Sequence, residues 1–460
     1  MKRIYSLLLM AAVTAGAMAD EFVTNGSGNV YTFNSLSQIE GTGVTLHEDG
    51  SYVVANDITI AEGDELKLMN NDVIKMGNGV IITIDGNANF TPADTALITR
   101  DAEGSNPKGF WMLGDNGNAQ LRNVRFEYVG IVFGGANSSL HADNCTFTLH
   151  NGKISSSGAI SFNAACDGNI IENCYFIENT VNAIGNGATN PVGIIIRNNY
   201  LWHNTTSNRN KPQLNMSCVG DYDMVITGNR IIGGHYTMSG GIGLSHSLGG
   251  AFTGTATIED NYIAENRYGI ATVGQVNAVI RNNTMIDNCY ENNPNNGGSC
   301  ISIYDSSSSS NIYIEGNWME GGLWGVTIAV GSPNVNMGKV EDTTATDYNP
   351  GNNTFVNNGN NGVLYDLYNN GTATIYAQGN TWNVDKQTKE LIEDVIYHQA
   401  DDPNKGLVIY MPAHEDDSAV EEIQASQQDN NVYYNLMGIP SQAPTVPGIY
   451  IHNGTKILIK

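Results

Sequence analysis

The sequence predicts an all-β fold: a solenoid with three short parallel strands per coil, followed by a small C-terminal β-module. Three observations predict it. The 460 residues include 52 Gly, and Thr, Ile, Tyr and Asn dominate the readable segments, a composition of strands and turns. A short pattern recurs, as in TIEDNYIAENRYGIATV (257–273), VIRNNTMIDN, VITGNRIIGG and YIEGNWMEGG. Within each copy the apolar residues alternate with polar ones and follow no helical period.

The chain opens on a leader. Lys2 and Arg3 precede a short apolar run, and Ala17-Met18-Ala19 precedes Asp20, the layout of a cleaved secretory signal over residues 1–19. No later stretch is long and apolar enough for a transmembrane helix. The mature chain is expected to be a monomer, exported to the medium or the cell surface. The formal charge is −25 at pH 7. Such a chain repels phosphates, which excludes nucleic acid as a partner. An anionic polysaccharide would need a cation or a local basic cleft to approach.

Residues 20–100 read as opening coils and a cap, and the main body spans 101–413. Aligned on Asn261, one column holds Cys145, Cys174, Asn199, Asn229, Asn261, Asn283, Asn317, Asn353 and Asn380, with Val124 as a divergent first member. The spacing varies from 21 to 36 residues, the mark of a solenoid whose loops carry insertions. Three residues earlier runs an apolar column from Leu121 to Ile314, and two residues later another from Phe126 to Trp382. Stacked about 4.8 Å apart, these columns form the predicted core. The Asn residues are expected at a bend between two strands, where Asn tolerates left-handed backbone and its amide can bond the amide one coil away. A second column five residues later holds Asn179, Asn204, Asn266, Asn288 and Asn358, with Gly234 and Gly322 filling in. A third strand per coil follows a Gly in YGIATV, GGIGLS, WGVTIA and NGVLYD.

These repeats resemble the right-handed parallel β-helix (pectin-lyase-like) family over residues 101–413. The resemblance implies the fold and leaves the activity open, because the fold hosts many functions. Two residues before the Asn position run Arg122, Asp143, Glu172, Arg197, Thr227, Glu259, Arg281 and Glu315, so that Arg122 faces Asp143, Glu172 faces Arg197, and Arg281 lies between Glu259 and Glu315. They read as a structural ladder of cross-strand pairs, each contributing roughly 0.2–1 kcal/mol.

At the C-terminal end, TKELIEDVIYH is the best helical candidate, with Leu391, Ile392, Val395 and Ile396 at near-helical spacing. His398, Asp401 and Asp402 read as a polar loop under the cap. Residues 414–431 are acidic and poor in apolar side chains, a flexible linker. Residues 432–460 resemble the short C-terminal sorting domain of type IX secretion cargo: Tyr434-Asn435-Leu436-x-Gly438, then Pro447 to Ile451, then a basic end from Lys456 to Lys460. Ile439-Pro440 and Gly454-Thr455 depart slightly from that pattern. The resemblance implies the type IX machinery as an export partner.

Enzymes of the resembled family commonly work on the outer face of one sheet, with a basic residue and Ca²⁺ in lyases or paired carboxylates in hydrolases. The outward positions of the Gly-preceded strand, among them Ser161, Asn215, Gly243, Ser245, Ala271, Ser302, Tyr304 and Thr327, are small and neutral or polar. No catalytic set is assigned there. The edges are richer: Arg209, Lys211, His235 and Arg267 on one side, Asp221, Asp223, His246 and Asp305 on the other. With Tyr304 these are the candidate ligand-binding residues. The expected function is binding of a polysaccharide, host glycan or other extracellular ligand. A polysaccharide lyase or glycoside hydrolase, with Ca²⁺ as its possible cofactor, and a structural surface spacer are the alternatives. Of the six cysteines, Cys289 and Cys300 flank one loop and could close it as a disulfide after export; buried free thiols are the other reading.

Overall fold

The computed structural model describes residues 21–152, 158–217, 220–248, 252–293, 296–304, 310–414, 432–435, 440–441, 444–445, 448–452 and 455–459. The leader, Cys218, Asp305, residues 415–431 of the linker and parts of the terminal motif lie outside them. The chain divides into two compact units, Met1–His414 and Glu415–Lys460. Among the described residues, no helix is long and apolar enough to cross a membrane.

The larger unit is a right-handed parallel β-helix. Its strands form three long sheets of 14, 14 and 13 strands, each strand pairing with those one coil away. We call sheet 1 the one holding the Gly-preceded strands (Ile270–Gly274, for example), sheet 2 the one holding Ala256–Glu259, and sheet 3 the one holding Tyr262–Ala264. All pairings within the sheets are parallel except Val44–Leu46 with Tyr52–Val54 at the start.

Alternation drives the coil closed. In sheet 2 the inward side chains Leu121, Ala142, Ile171, Ile196, Ile226, Ile258, Ile280 and Ile314 are all buried. In sheet 3, Phe126, Phe147 and Phe176 stack face to face at 4.8 and 5.1 Å. Phe355 stacks on Trp382 at 5.1 Å. Each fully buried side chain of this size contributes about 1.5–3 kcal/mol, so like residues stacked in register supply most of the stability.

The Asn column is an internal ladder. The Oδ1 of Asn261 accepts from the Asn229 backbone N–H (2.9 Å) and from Asn229 Nδ2 (3.0 Å), while Asn261 Nδ2 donates to the Ile226 carbonyl (2.8 Å). The same pattern runs through Asn199, Asn283, Asn317, Asn353 and Asn380. In one respect the structure corrects the expectation. The left-handed residue at the bend is the one before the ladder: Asn198, Gly228, Asp260, Asn282, Gly316, Asn352 and Gly379 have positive φ. The ladder residue keeps its side chain inside, and its neighbour makes the turn. Cys174 and Cys145 continue the column upward, with Cys174 N–H donating to Asn199 Oδ1 at 2.9 Å.

The second ladder has a rung that the spacing did not show. Gly234 has no amide, and Gln213 reaches in from sheet 1 to replace it. Gln213 Oε1 accepts from Asn204 Nδ2 (2.9 Å), and its Nε2 donates to Asn266 Oδ1 (3.0 Å).

Both ends of the larger unit are covered. Helix Phe33–Ser37 buries Phe33 and Leu36 over the first coils. The predicted C-terminal helix is shorter than its periodicity suggested, Lys389–Glu393, capped by Thr388. Ile396 and Tyr397 instead pair with Leu367 and Tyr368 as the last strand of sheet 1. Strand pairing there satisfies backbone groups that a further helical turn would leave facing the last coil. The smaller unit is a four-stranded antiparallel sheet with Gly448–His452 between Tyr433–Asn435 and Thr455–Ile459.

Candidate functional site

The residues of the basic edge of sheet 1 differ in their settings. Arg209 is exposed, and Lys211 is half-buried at the start of strand Lys211–Met216. His235 is exposed, with Nε2 3.1 Å from Glu265 Oε2 and its ring stacked on Tyr290 at 4.3 Å. Arg267 is only 9% exposed, and its guanidinium donates to the Asn210 side chain and the Asn296 carbonyl. Arg267 and Tyr304 do lie near each other: burial raises the Tyr304 hydroxyl pKa, and the Arg267 charge opposes that rise.

The acidic edge is likewise engaged in structure. Asp223 Oδ1 accepts from Thr255 N–H at 2.9 Å, and Asp221 Oδ1 from the Thr253 hydroxyl at 3.3 Å. His246 is turned inward, 4% exposed, with its ring 5.9 Å from Phe252. Asp305 lies outside the described residues. Cys289 and Cys300 are free thiols and not the anticipated bridge. Cys300 is fully buried against Asn358, whereas Cys289 is half-exposed.

Sheet 1 is also no open trough. Ser161, Ser302 and Thr327 are fully buried and Ala271 is 4% exposed. Side chains of a bordering turn and of its own strands lie on it. The Tyr268 ring covers Gly240, and Pro212 sits over Gly243 so that an added Cβ would be 2.7 Å from its ring. At the lower end Trp324, Tyr368 and Tyr397 stack ring on ring at 4.2 and 4.5 Å. Gly243, read from the sequence as part of a ligand trough, is space that the Pro212 ring needs.

The accessible face is that of sheet 2. Down its middle runs one in-register outward column: Gln120, His141, Ile170, Ile195, Val225, Thr257, Val279, Tyr313 and Asn336. On one side stands the charge ladder. Arg197 meets Glu172 at 2.7 Å, Arg281 meets Glu259 at 2.6 Å, and His141 meets Glu172 at 2.7 Å. The His141 hydrogen bond, opposed by burial and aided by Arg197, lowers the Glu172 pKa. The Arg197–Glu172 and Arg281–Glu259 pairs are ones the charge column predicted; His141 joins from the neighbouring column, and among the described residues Arg122 forms no ion pair with Asp143.

On the other side stands a column of which sequence reasoning named only Asp223: Asp223, Thr255, Asn277, Asn311 and Asn334. Each immediately precedes an inward residue of the registered strands Met224, Ala256, Ala278, Ile312 and Val335. That position, polar in five successive coils, was the available signal. Asn311 Nδ2 donates to Asn277 Oδ1 (3.1 Å), and Asn334 Nδ2 to Asn311 Oδ1 (2.9 Å). Below them a cleft of about 460 Å³ opens, lined by Thr255, Asn277, Val279, Asn311, Tyr313, Asn334, Asn336, Thr346 and Asp347. Its outer wall is tied down, with Lys339 paired to Asp347 at 2.6 Å and Asn336 Nδ2 donating to the Asp347 carbonyl at 2.7 Å. Amides and hydroxyls that both donate and accept, over an aliphatic floor, suit a neutral polyhydroxylated ligand.

The largest cavity described, about 610 Å³, lies at the C-terminal cap between Lys389, Glu393, His398, Leu407, Tyr410 and Met411. Its polar groups are already paired. His398 Nδ1 accepts from Val408 N–H (2.9 Å), so Nε2 donates to Glu393 (2.8 Å), and the Tyr410 hydroxyl donates to the same carboxylate. His398 therefore has no ring nitrogen left for a metal. Among the described residues no group of three or more His, Cys, Asp and Glu is placed to hold a metal ion.

Comparison with protein-family models, curated proteins and solved structures finds no match to this chain. The class that the fold defines is a right-handed parallel β-helix with a small antiparallel β-module. Its function rests on the geometry of its own faces.

Proposed function

We propose that this is an exported glycan-binding protein that holds a neutral saccharide in the amide-lined cleft of sheet 2. One observation carries the reading: Asn277, Asn311, Asn334, Asn336 and Thr346 converge on about 460 Å³ of open space with Val279 and Tyr313 as its floor. Sugar hydroxyls need paired donors and acceptors, which amides supply, and the apolar floor accepts the CH face of a ring. The resemblance of residues 432–460 to a type IX sorting domain, with the leader at the other end, supports display at the cell surface or release.

The test is affinity electrophoresis of the full chain through gels containing dextran, mannan or xylan, with an Asn311→Ala/Asn334→Ala variant alongside. Retardation by at least one polymer, lost in the variant, is the expected result. Equal mobility of wild type and variant in every gel would defeat the reading, and depolymerisation of a glycan would replace it with the enzymatic one.

A further inference from the structure

A second cleft opens on the same face, higher up. It holds about 310 Å³ and is lined by Asn89, Gln120, Arg122, His141 and Asp143 together with Thr91. Its polar groups differ from the rest of the charge ladder. Arg197 and Arg281 are each locked to a glutamate. Arg122 stands in register with Asp143, yet among the described residues no hydrogen bond or ion pair engages its guanidinium, nor the Gln120 amide. One guanidinium, one carboxylate and two amides line one space. Asp143 Oδ1 also accepts from Asn173 Nδ2 (2.8 Å) and Asn89 Oδ1 from the Thr91 hydroxyl (2.9 Å), which leaves the guanidinium and the Gln120 amide to read adjacent hydroxyls.

The two clefts are joined. Between His141 and Tyr313 the outward column is Ile170, Ile195, Val225, Thr257 and Val279, every one half-buried and in register. This strip is an apolar floor with charged pairs along one side and, on the other, glycines beside Ile170 and Ile195 and polar side chains from Asp223 onward. From strand Asn118–Arg122 to strand Ala278–Arg281 is six coil steps of about 4.8 Å, roughly 29 Å.

We infer that sheet 2 binds a linear neutral glycan lengthwise, parallel to the helix axis, with the Gln120/Arg122 cleft as a second subsite. The inference rests on the proposed saccharide cleft and adds to it the ligand's form, a chain rather than a chain end, and a residue set for its far contact. A straight floor with a regular rise matches a polymer with a regular repeat, and the paired charges of the flanking ladder leave no excess to attract a polyanion. Engagement of both clefts by one chain raises affinity through effective concentration, whereas an oligosaccharide too short to span them gains nothing.

The test uses a polysaccharide retained by the wild-type chain and size-fractionated oligosaccharides made from it, with affinities measured by calorimetry. A Gln120→Ala/Arg122→Ala variant should lose about tenfold or more in affinity for the polymer, with affinity for the short fractions unchanged. A second variant, Val225→Arg, should do the same by raising an obstacle mid-floor. Polymer affinity unchanged in both variants overturns the lengthwise mode alone. If the wild type retains no glycan of either length, the saccharide reading itself falls.

Discussion

Sheets 1 and 2 belong to the same coils and share the same in-and-out alternation, yet their outer faces have opposite fates. On sheet 1 several outward residues, Ser161, Ala271, Ser302 and Thr327, are small and buried, and Tyr268 and Pro212 lie over Gly240 and Gly243. On sheet 2 the outward residues form an uncovered strip between two clefts. The difference comes from what lies on each sheet. Over sheet 1 lie the Tyr268 ring, from the short connection 265–269, and the strand residues Pro212, Trp324, Tyr368 and Tyr397. In this β-helix a few ring side chains at single positions, rather than connection length, separate the covered face from the open one.

The largest expected effect falls on the tight corner. Asn261→Ala removes the acceptor of two Asn229 donors and the donor to the Ile226 carbonyl. Leaving these buried groups unpaired should cost about 2–4 kcal/mol, read as a lower midpoint in chemical denaturation. A midpoint unchanged from wild type would mean that the ladder is incidental to the corner.

The two faces should then respond differently to added or removed bulk. Gly240→Val drives a side chain into the Tyr268 ring and should cost about 1–3 kcal/mol. Val225→Ala on the open face should stay within about 0.5 kcal/mol. Equal losses in thermal melting would erase the contrast between covered and open sheets.

A smaller effect depends on pH. Burial pushes the Asp366 carboxyl, behind sheet 1, up to about 7, despite hydrogen bonds from Asn383 N–H and Asn358 Nδ2. Its folded pKa thus lies above the ordinary 3.8. The stability tied to the neutral form is complete below about pH 4 and is lost as pH rises through about 7. Asp366→Asn should therefore raise the melting temperature at pH 8 and change it little at pH 4. A gain of the same size at both values would show that ionisation is not the cause.

The smallest expected effect on stability is that of deleting residues 432–460, which belong to a separate compact unit. The β-helix should melt within a degree or two of the full chain. In the producing cell, the truncated chain should accumulate in the periplasm. Normal levels at the surface or in the medium would contradict the sorting reading of that module.

Much of this was legible in the chain. The ladder asparagines, the apolar columns and the paired charges are all short-range patterns repeated at corresponding positions, and in-register stacking places like on like whatever the loop lengths between them. The left-handed residue was misplaced by one position because Asn tolerates that backbone wherever it stands, and the Gly and Asp residues at 228, 260, 316 and 379, just before the ladder, were not read as the turn. Gln213 was missed because its partners, Asn204 and Asn266, belong to different coils. The helix at residues 389–393 was overextended because an apolar spacing of three and four does not reveal that Ile396 has a strand waiting to pair with it.

The sequence by itself determined the coil, its three strands and the core, because those follow from local alternation and from repetition at a fixed column. Only the tertiary structure decided which face is covered and where the clefts lie. The Asp347 wall beside sheet 2 comes from an insertion between strands, and the rings over sheet 1 come from single positions of its own strands and of the short connection 265–269. Their packing depends on side-chain contacts across coils, which no periodic pattern encodes.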